Sequence, residues 1–230
     1  MREPFVEMRR SEKIGGVIWL LFYMFAMSFL LTLVLAALGY GGDVVLANQV
    51  FFPLNFIITC VLFRHFLTDS LSVAMERPLR LLKGILLGFC LYWIGQVVLI
   101  STYEGIAPDL WSANDEGIEA IAGMNYGVMW AGAVLLGPLV EETLMRGLIF
   151  GNIRKKSRLL AYLVSMLAFG LIHVLGYVTD PKMDALNFVL NWGLYMVPSV
   201  VLAVTYEYTG TIWGPTILHM ILNALGMAGM

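Results

Sequence analysis

Charge is scarce in this 230-residue chain. Asp, Glu, Lys and Arg make up 13% of it and hydrophobic residues 60%, with a mean hydropathy of +0.82. A soluble domain carries about 25% charged residues, so a water-soluble globule is excluded and an all-α, polytopic membrane protein is expected. Cysteine is almost absent. Cys60 and Cys90 lie in apolar runs and form no CxxC pair or Cys/His cluster. Neither a disulfide framework nor a Cys-based zinc site follows, and both are read as small buried apolar side chains. There is no HExxH, no GxSxG-like nucleophile near a buried histidine, no Gly-rich phosphate loop, no basic tract and no repeat. Nucleic acid is thereby set aside as a partner. No Asp falls deep in an apolar run, which excludes a two-aspartate intramembrane site.

What is present is a series of long apolar runs. A membrane span takes about 20 residues, and about seven are predicted: residues 14–38, 45–66, 81–102, 124–150, 158–177, 185–206 and 211–228. The first run is too long for a signal-peptide core of about 7–15 residues, so it is read as a retained helix. Residues 103–123 form the only long connection. They hold Glu104, Asp109, Asp115, Glu116 and Glu119 and no Lys or Arg, and their Gly, Pro, Ser and Asn content predicts a surface loop or short interfacial helix. Residues 1–123 are then N-terminal transmembrane helices with an outer loop, and residues 124–230 a catalytic core, all within one integral membrane domain.

Basic residues set the orientation. Arg2, Arg9, Arg10 and Lys13 precede the first span. Arg64, Arg77, Arg80 and Lys83 flank the second connection, and Arg154, Lys155, Lys156 and Arg158 the fourth. With seven spans these twelve of the 14 Lys and Arg fall on one side. The positive-inside rule places that side and the N-terminus in the cytoplasm, and the C-terminus outside.

Few ionisable residues lie deep in the spans. They are Glu141, Glu142 and Arg146 in "GPLVEETLMRG", His173, and His219, followed by Asn223. A charge at mid-membrane costs about 2.5–3.5 kcal/mol even on the mild insertion scale, so such residues pair, line a wet cavity or perform chemistry. Glu142 and Arg146 stand at i and i+4 and can form an ion pair, while Glu141 is rotated about 100° away from them. Phe169 and His173 share a helix face, as do His219 and Asn223. Glu141 is 13 residues from Arg154 and His173 is 15 from Arg158, which puts both about 20 Å from the same membrane edge on antiparallel helices.

A carboxylate and an imidazole at one height can activate a water for hydrolysis of a peptide bond. His219 and Asn223 are candidate donors to the oxyanion. In the alternative, Glu141, His173 and His219 ligate a zinc ion with an open fourth position. The residue types admit both arrangements. Ser165, eight residues before His173, is read as helix packing.

These residues resemble the CaaX protease and bacteriocin-processing (CPBP) family, which includes the type II CaaX prenyl endopeptidases. Its motifs EExxxR, FxxxH and HxxxN read here "EETLMR" (141–146), "FGLIH" (169–173) and "HMILN" (219–223). The resemblance covers about residues 124–227; the first 120 match only in being membrane helices. It implies an intramembrane protease and favours the metal-independent glutamate mechanism, which needs no cofactor, over the zinc arrangement. In it Glu141 and His173 activate water, His219 and Asn223 stabilise the oxyanion, and Glu142 and Arg146 shape the site. It also implies a membrane-associated substrate, a prenylated protein or a bacteriocin- or pheromone-like peptide, and a prokaryotic plasma membrane. A non-proteolytic immunity or regulatory scaffold on the same fold is the competing expectation. A transporter would show repeat symmetry and broken helices in both halves, whereas the polar residues here sit in the C-terminal half alone.

Overall fold

The computed structural model describes residues 5–229, which are helical throughout with no strand among them. Arg2, counted above among the basic residues, lies outside the described residues. The N-terminal part comprises α1 (Arg10–Phe25), α2 (Met27–Ala37), α3 (Val44–Leu62), α4 (Arg64–Glu76) and α5 (Pro78–Ile106). The core comprises α6 (Ala113–Trp130), α7 (Gly137–Glu142), α8 (Gly151–Ile153), α9 (Arg158–Val174), α10 (Ala185–Leu194), α11 (Met196–Thr209) and α12 (Trp213–Ala228). Local chemistry fixes many of the ends. Asp43, Ser157 and Asp184 cap α3, α9 and α10 by accepting from Leu46, Leu160 and Asn187 N–H. Pro78 opens α5, where its missing N–H costs nothing, and Gly210 (φ +74°) closes α11.

Five stretches are long and apolar enough to cross a membrane: Val44–Leu62, Pro78–Ile106, Ala113–Ile153, Arg158–Tyr177 and Ala185–Thr209. α1 and α2 together make a sixth, bent by 61° at Ala26, so the run read as one span is a broken one. The seventh segment, α12, has 16 residues and reaches only about 24 Å. Large apolar side chains such as Ile18, Phe29, Ile94 and Leu159 are exposed along these helices, the surface an integral membrane protein offers to lipid.

Two expectations need correction. Residues 103–123 are not one long connection: α5 runs to Ile106 and α6 begins at Ala113, leaving 107–112 between them. The acidic residues Asp115 and Glu116 belong to the first turn of α6, where the helix dipole favours them. A break at Asn125 (φ −155°, ψ 92°) then separates this outer part of α6 from the apolar part. Cys90 is exposed on α5 rather than buried, and Cys60 is half-buried; both are free thiols.

Glycine governs the crossing of α5 with α11. α11 packs along α5. A Cβ on Gly84 would lie 2.4 Å from Thr209, on Gly88 2.2 Å from Thr205 and 2.5 Å from Leu218, and on Gly95 2.6 Å from Val197. This small-residue stripe lets the α5 backbone approach α11 and α12, as helices pack in lipid. The N-terminal part is also stitched to the core. Buried Glu12 accepts from Arg9 N–H at 2.8 Å and from Phe66 N–H at 3.0 Å, joining the starts of α1 and α4. Met8 is buried against Gly147 and Phe66.

Gly88→Leu should force α5 off α11 and lower stability by at least about 1–3 kcal/mol, the usual range for overpacking. Gly105→Leu, where a Cβ meets nothing within 4 Å, should leave the melting temperature in detergent near that of the parent. Equal melting of the two variants would contradict the close-packing account.

Candidate active site

The site grows out of an irregular helix. Ala131–Leu136 and Thr143–Phe150 are π-helical and flank α7, so Glu141 and Glu142 sit at a junction between two widened turns. Such turns shift side chains out of α register and gather at functional sites. Every residue from Gly137 to Phe150 is buried except Glu141 and Ile149.

Glu142 and Arg146, both with fully buried side chains, pair at 3.0 Å. The guanidinium is held on further sides. Its Nη2 donates to Ser199 O at 2.8 Å and Ser199 Oγ at 3.1 Å, and its Cζ lies 4.4 Å from the Phe169 ring centroid. Burying this pair would be expensive without those contacts; they offset much of the cost, although Arg146 Nε and Glu142 Oε2 keep no hydrogen-bond partner. Glu142 Oε1 also lies 3.0 Å from His219 Nδ1. One carboxylate oxygen therefore holds both Arg146 and His219.

The second histidine is held differently. His173 Nδ1 is 2.8 Å from Phe169 O, and its ring stacks on Tyr195 with centroids 4.1 Å apart and planes at 18°. A carbonyl only accepts, so Nδ1 of His173 carries the proton; Glu142 imposes the same tautomer on His219. In both rings Nε2 is the free nitrogen, and both point at one atom. Glu141 Oε2 lies 3.8 Å from His173 Nε2 and 3.9 Å from His219 Nε2. This oxygen is buried and has no hydrogen-bond partner. Phe169 packs between the groups, 4.7 Å from the His173 ring and 5.7 Å from the His219 ring.

Asn223 makes a different contact from those of the trio. Its Nδ2 donates to Ala133 O at 2.8 Å, within the first π-helical stretch. It shares a helix with His219 but ties α12 to the widened turn that precedes α7. Ser165 Oγ donates to Met145 O at 3.2 Å, a link between α9 and the second π-helical stretch. Ser199 and Tyr195 were not singled out by sequence. Each is one polar residue in "LYMVPSVV", and only the fold brings them to Arg146 and His173. The N-terminal helices close another side. A Cβ on Gly137 would lie 3.5 Å from Phe52 and 3.6 Å from Glu141 Oε1, so the Phe52 ring of α3 and the carboxylate both lie against Gly137.

A zinc ion would draw on Glu141, His173 and His219, and these donor types suit it. Among the described residues, however, no group of three or more His, Cys, Asp or Glu side chains is arranged to hold a metal ion. The residues as placed do not fit such a site, and no step below passes through one.

Removing the cation should expose the cost of the buried carboxylate. Arg146→Met is expected to lose about 3–5 kcal/mol, the usual penalty for leaving one partner of a buried pair. Adding Glu142→Gln to it should restore part of that loss. Thermal unfolding in detergent measures both, and an Arg146→Met protein as stable as the parent would contradict the clamp.

The family model described as type II CAAX prenyl endopeptidase Rce1-like matches residues 123–225. No curated protein and no solved structure matches the chain. The matched stretch begins near the Asn125 break and contains all the clustered polar residues from Glu141 to Asn223. Over its C-terminal core, residues 123–225, this integral membrane protein is similar to the Rce1-like type II CAAX prenyl endopeptidases.

Proposed function

We propose that the chain is an intramembrane endopeptidase that hydrolyses a peptide bond of a membrane-associated substrate with water activated by Glu141 and His173. The observation that carries this reading is the unpartnered Glu141 Oε2, buried and faced by two imidazole Nε2 atoms at 3.8 and 3.9 Å. Those separations leave a polar niche in which a water can bridge carboxylate and imidazole. Glu141 takes the proton as the water oxygen attacks the scissile carbonyl, and His173 orients that water through Nε2. The carbonyl oxygen becomes an oxyanion. His219, held by Glu142 through Nδ1, faces this oxyanion and is assigned with Asn223 to stabilise it. The proton on Glu141 then passes to the leaving amine as the C–N bond breaks.

Glu142 and Arg146 are positioning residues in this scheme. They set His219 and the helix that carries Glu141. Asn223 has a second amide N–H beyond the one given to Ala133 O, and this N–H is its means of reaching the oxyanion. The reaction needs no cofactor. Prenylated protein tails and bacteriocin- or pheromone-like peptides are the substrate classes the family suggests. The protein is placed in a prokaryotic plasma membrane with its N-terminus in the cytoplasm and its C-terminus outside.

The test compares membrane and secreted peptides from cells making wild type or Glu141→Ala at equal levels. Peptides that appear only with wild type are expected, and they name the cleaved bond. Identical peptide sets, with the same cellular phenotype for both proteins, would overturn the protease reading and favour a non-proteolytic immunity or regulatory scaffold.

A further inference from the structure

The two histidines of the site are held by unequal means. His219 Nδ1 bonds the Glu142 carboxylate, a charged and therefore strong partner. His173 Nδ1 bonds Phe169 O, a carbonyl of its own helix, at 2.8 Å. That bond fixes one atom of the ring and selects its tautomer. It leaves the ring free to pivot about the contact, and a pivot would swing Nε2 away from Glu141 Oε2, which it faces at 3.8 Å. The ring plane is set by something else. The Tyr195 ring lies nearly parallel to the imidazole, with 18° between planes and 4.1 Å between centroids. Aromatic pairs usually sit about 4.5–7 Å apart, so this stack is close. Phe169 approaches the same imidazole at 4.7 Å but tilted by 47°, a contact that tolerates rotation.

A stacking ring fixes an imidazole only if it is itself fixed. Tyr195 is the residue between α10 and α11. Its N–H donates to Trp192 O at 3.2 Å, and its carbonyl accepts from Ser199 N–H at 3.1 Å. Trp192, Tyr195 and Ser199 follow one another at spacings of three and four, so they share a face. All three meet α9 or its partners. The Trp192 indole fills the space beside Gly170, where a Cβ would lie 2.3 Å from it, and its Nε1 donates to Leu167 O at 3.1 Å. Ser199 O accepts from Arg146 Nη2 at 2.8 Å, and Ser199 Oγ lies 3.5 Å from Ser165 O. The end of α10 is docked from another side. Buried Asn191 accepts from Ala113 N–H at 2.9 Å and donates to Trp111 O at 2.8 Å. The Tyr103 hydroxyl of α5 donates to Leu190 O at 3.0 Å. Tyr195 thus stands between two pins on the α9 side, on a backbone tied to α5 and α6.

From this we infer that Tyr195 is a positioning residue for His173: its ring face sets the plane of the imidazole and so aims Nε2 at Glu141. One segment, residues 192–199, then orients both histidines. It acts on His173 by direct stacking, and on His219 through Ser199, Arg146 and Glu142. The ring face carries the role and the hydroxyl does not, so phenylalanine can replace Tyr195 and an aliphatic side chain cannot. In the protease reading the stack places the attacking water through Nε2, and its loss lowers turnover rather than substrate binding. That consequence rests on the protease reading; the orientation of the ring does not.

The chain has three histidines, His65, His173 and His219, so imidazole NMR of the full chain in detergent, with isotope-labelled histidine, reads the ring directly. His173→Gln assigns its signals, and His65 on α4 is the internal reference. The readouts are the tautomer, from the ring nitrogen shifts, and the order parameter of the ring. Wild type should show one ordered His173 ring with the proton on Nδ1, and Tyr195→Phe should match it. Tyr195→Leu and Tyr195→Met, made in parallel and screened by melting temperature, should lower the His173 order parameter and mix its tautomers while His219 stays as in wild type. The assignment is overturned if the aliphatic variants leave His173 ordered in one tautomer, or if Tyr195→Phe disturbs it as much as they do. It is also overturned if His219 loosens equally, or if neither aliphatic variant folds, since Tyr195 is then a packing residue. The catalytic consequence is read on a peptide that wild type cleaves and Glu141→Ala does not. There Tyr195→Leu should lower kcat by roughly 100-fold, the cost of about 1 Å of misplacement, with KM unchanged. No fall, or a fall through KM alone, removes that consequence. If no such peptide exists the protease reading fails, and the spectra still decide the orientation of the ring.

Discussion

A fully buried guanidinium is the constraint around which the core of this protein is arranged. Arg146 cannot shed its charge and cannot reach water, so the fold must supply an anion, acceptors and an aromatic face at one point in the membrane. Glu142, Ser199 and Phe169 meet that need from three different segments. The arrangement fixes the second π-helical stretch, α9 and α11 against one another. It also leaves Glu142 with a defined orientation, and Glu142 in turn holds His219 on α12. A structural ion pair thus orients a histidine whose other nitrogen faces Glu141. Two adjacent carboxylates end in different settings: Glu142 is held through Oε1 by Arg146 and His219, with Oε2 unpartnered, while Glu141 turns an unpartnered Oε2 toward two imidazoles.

The helix irregularities serve the same end. An uninterrupted α-helix through 131–150 would keep Glu141, Glu142 and Arg146 in fixed α register and leave no carbonyl for Asn223. The π-helical turns widen the helix at both sides of α7, and Asn223 ties one of them to α12. The N-terminal helices then act as walls and seals. α3 brings Phe52 against Gly132 and Gly137, the glycine face of α5 admits α11 and α12, and the segment before α1 packs on the basic end.

Much of the site was legible in the sequence because the membrane makes polar residues costly. Glu141, Glu142, Arg146, His173 and His219 stand out against an apolar background, and i, i+4 spacing alone pairs Glu142 with Arg146. What sequence did not disclose depends on long-range packing. Ser199 and Tyr195 look like ordinary span residues until α11 is laid against α9. The link from Glu142 to His219 joins positions 77 residues apart. Gly84 and Gly88 form a visible small-residue pair, but nothing in the pair names α11 as the partner. For the fold, hydropathy located the apolar runs, while the bend at Ala26 and the extension of α6 back to Ala113 escaped it. Hydropathy weighs composition and is blind to backbone angles.

The central claim is that neighbouring carboxylates have separate roles, one holding the helix bundle and one left free for chemistry. Thermal unfolding of Glu142→Gln and Glu141→Gln, side by side in one detergent, tests it most directly. Glu142→Gln weakens the partner of Arg146 and His219 and should melt well below wild type. Glu141→Gln removes a buried, unpartnered charge and should melt at or above wild type. Equal destabilisation by the two substitutions, or the reverse order, would contradict the account.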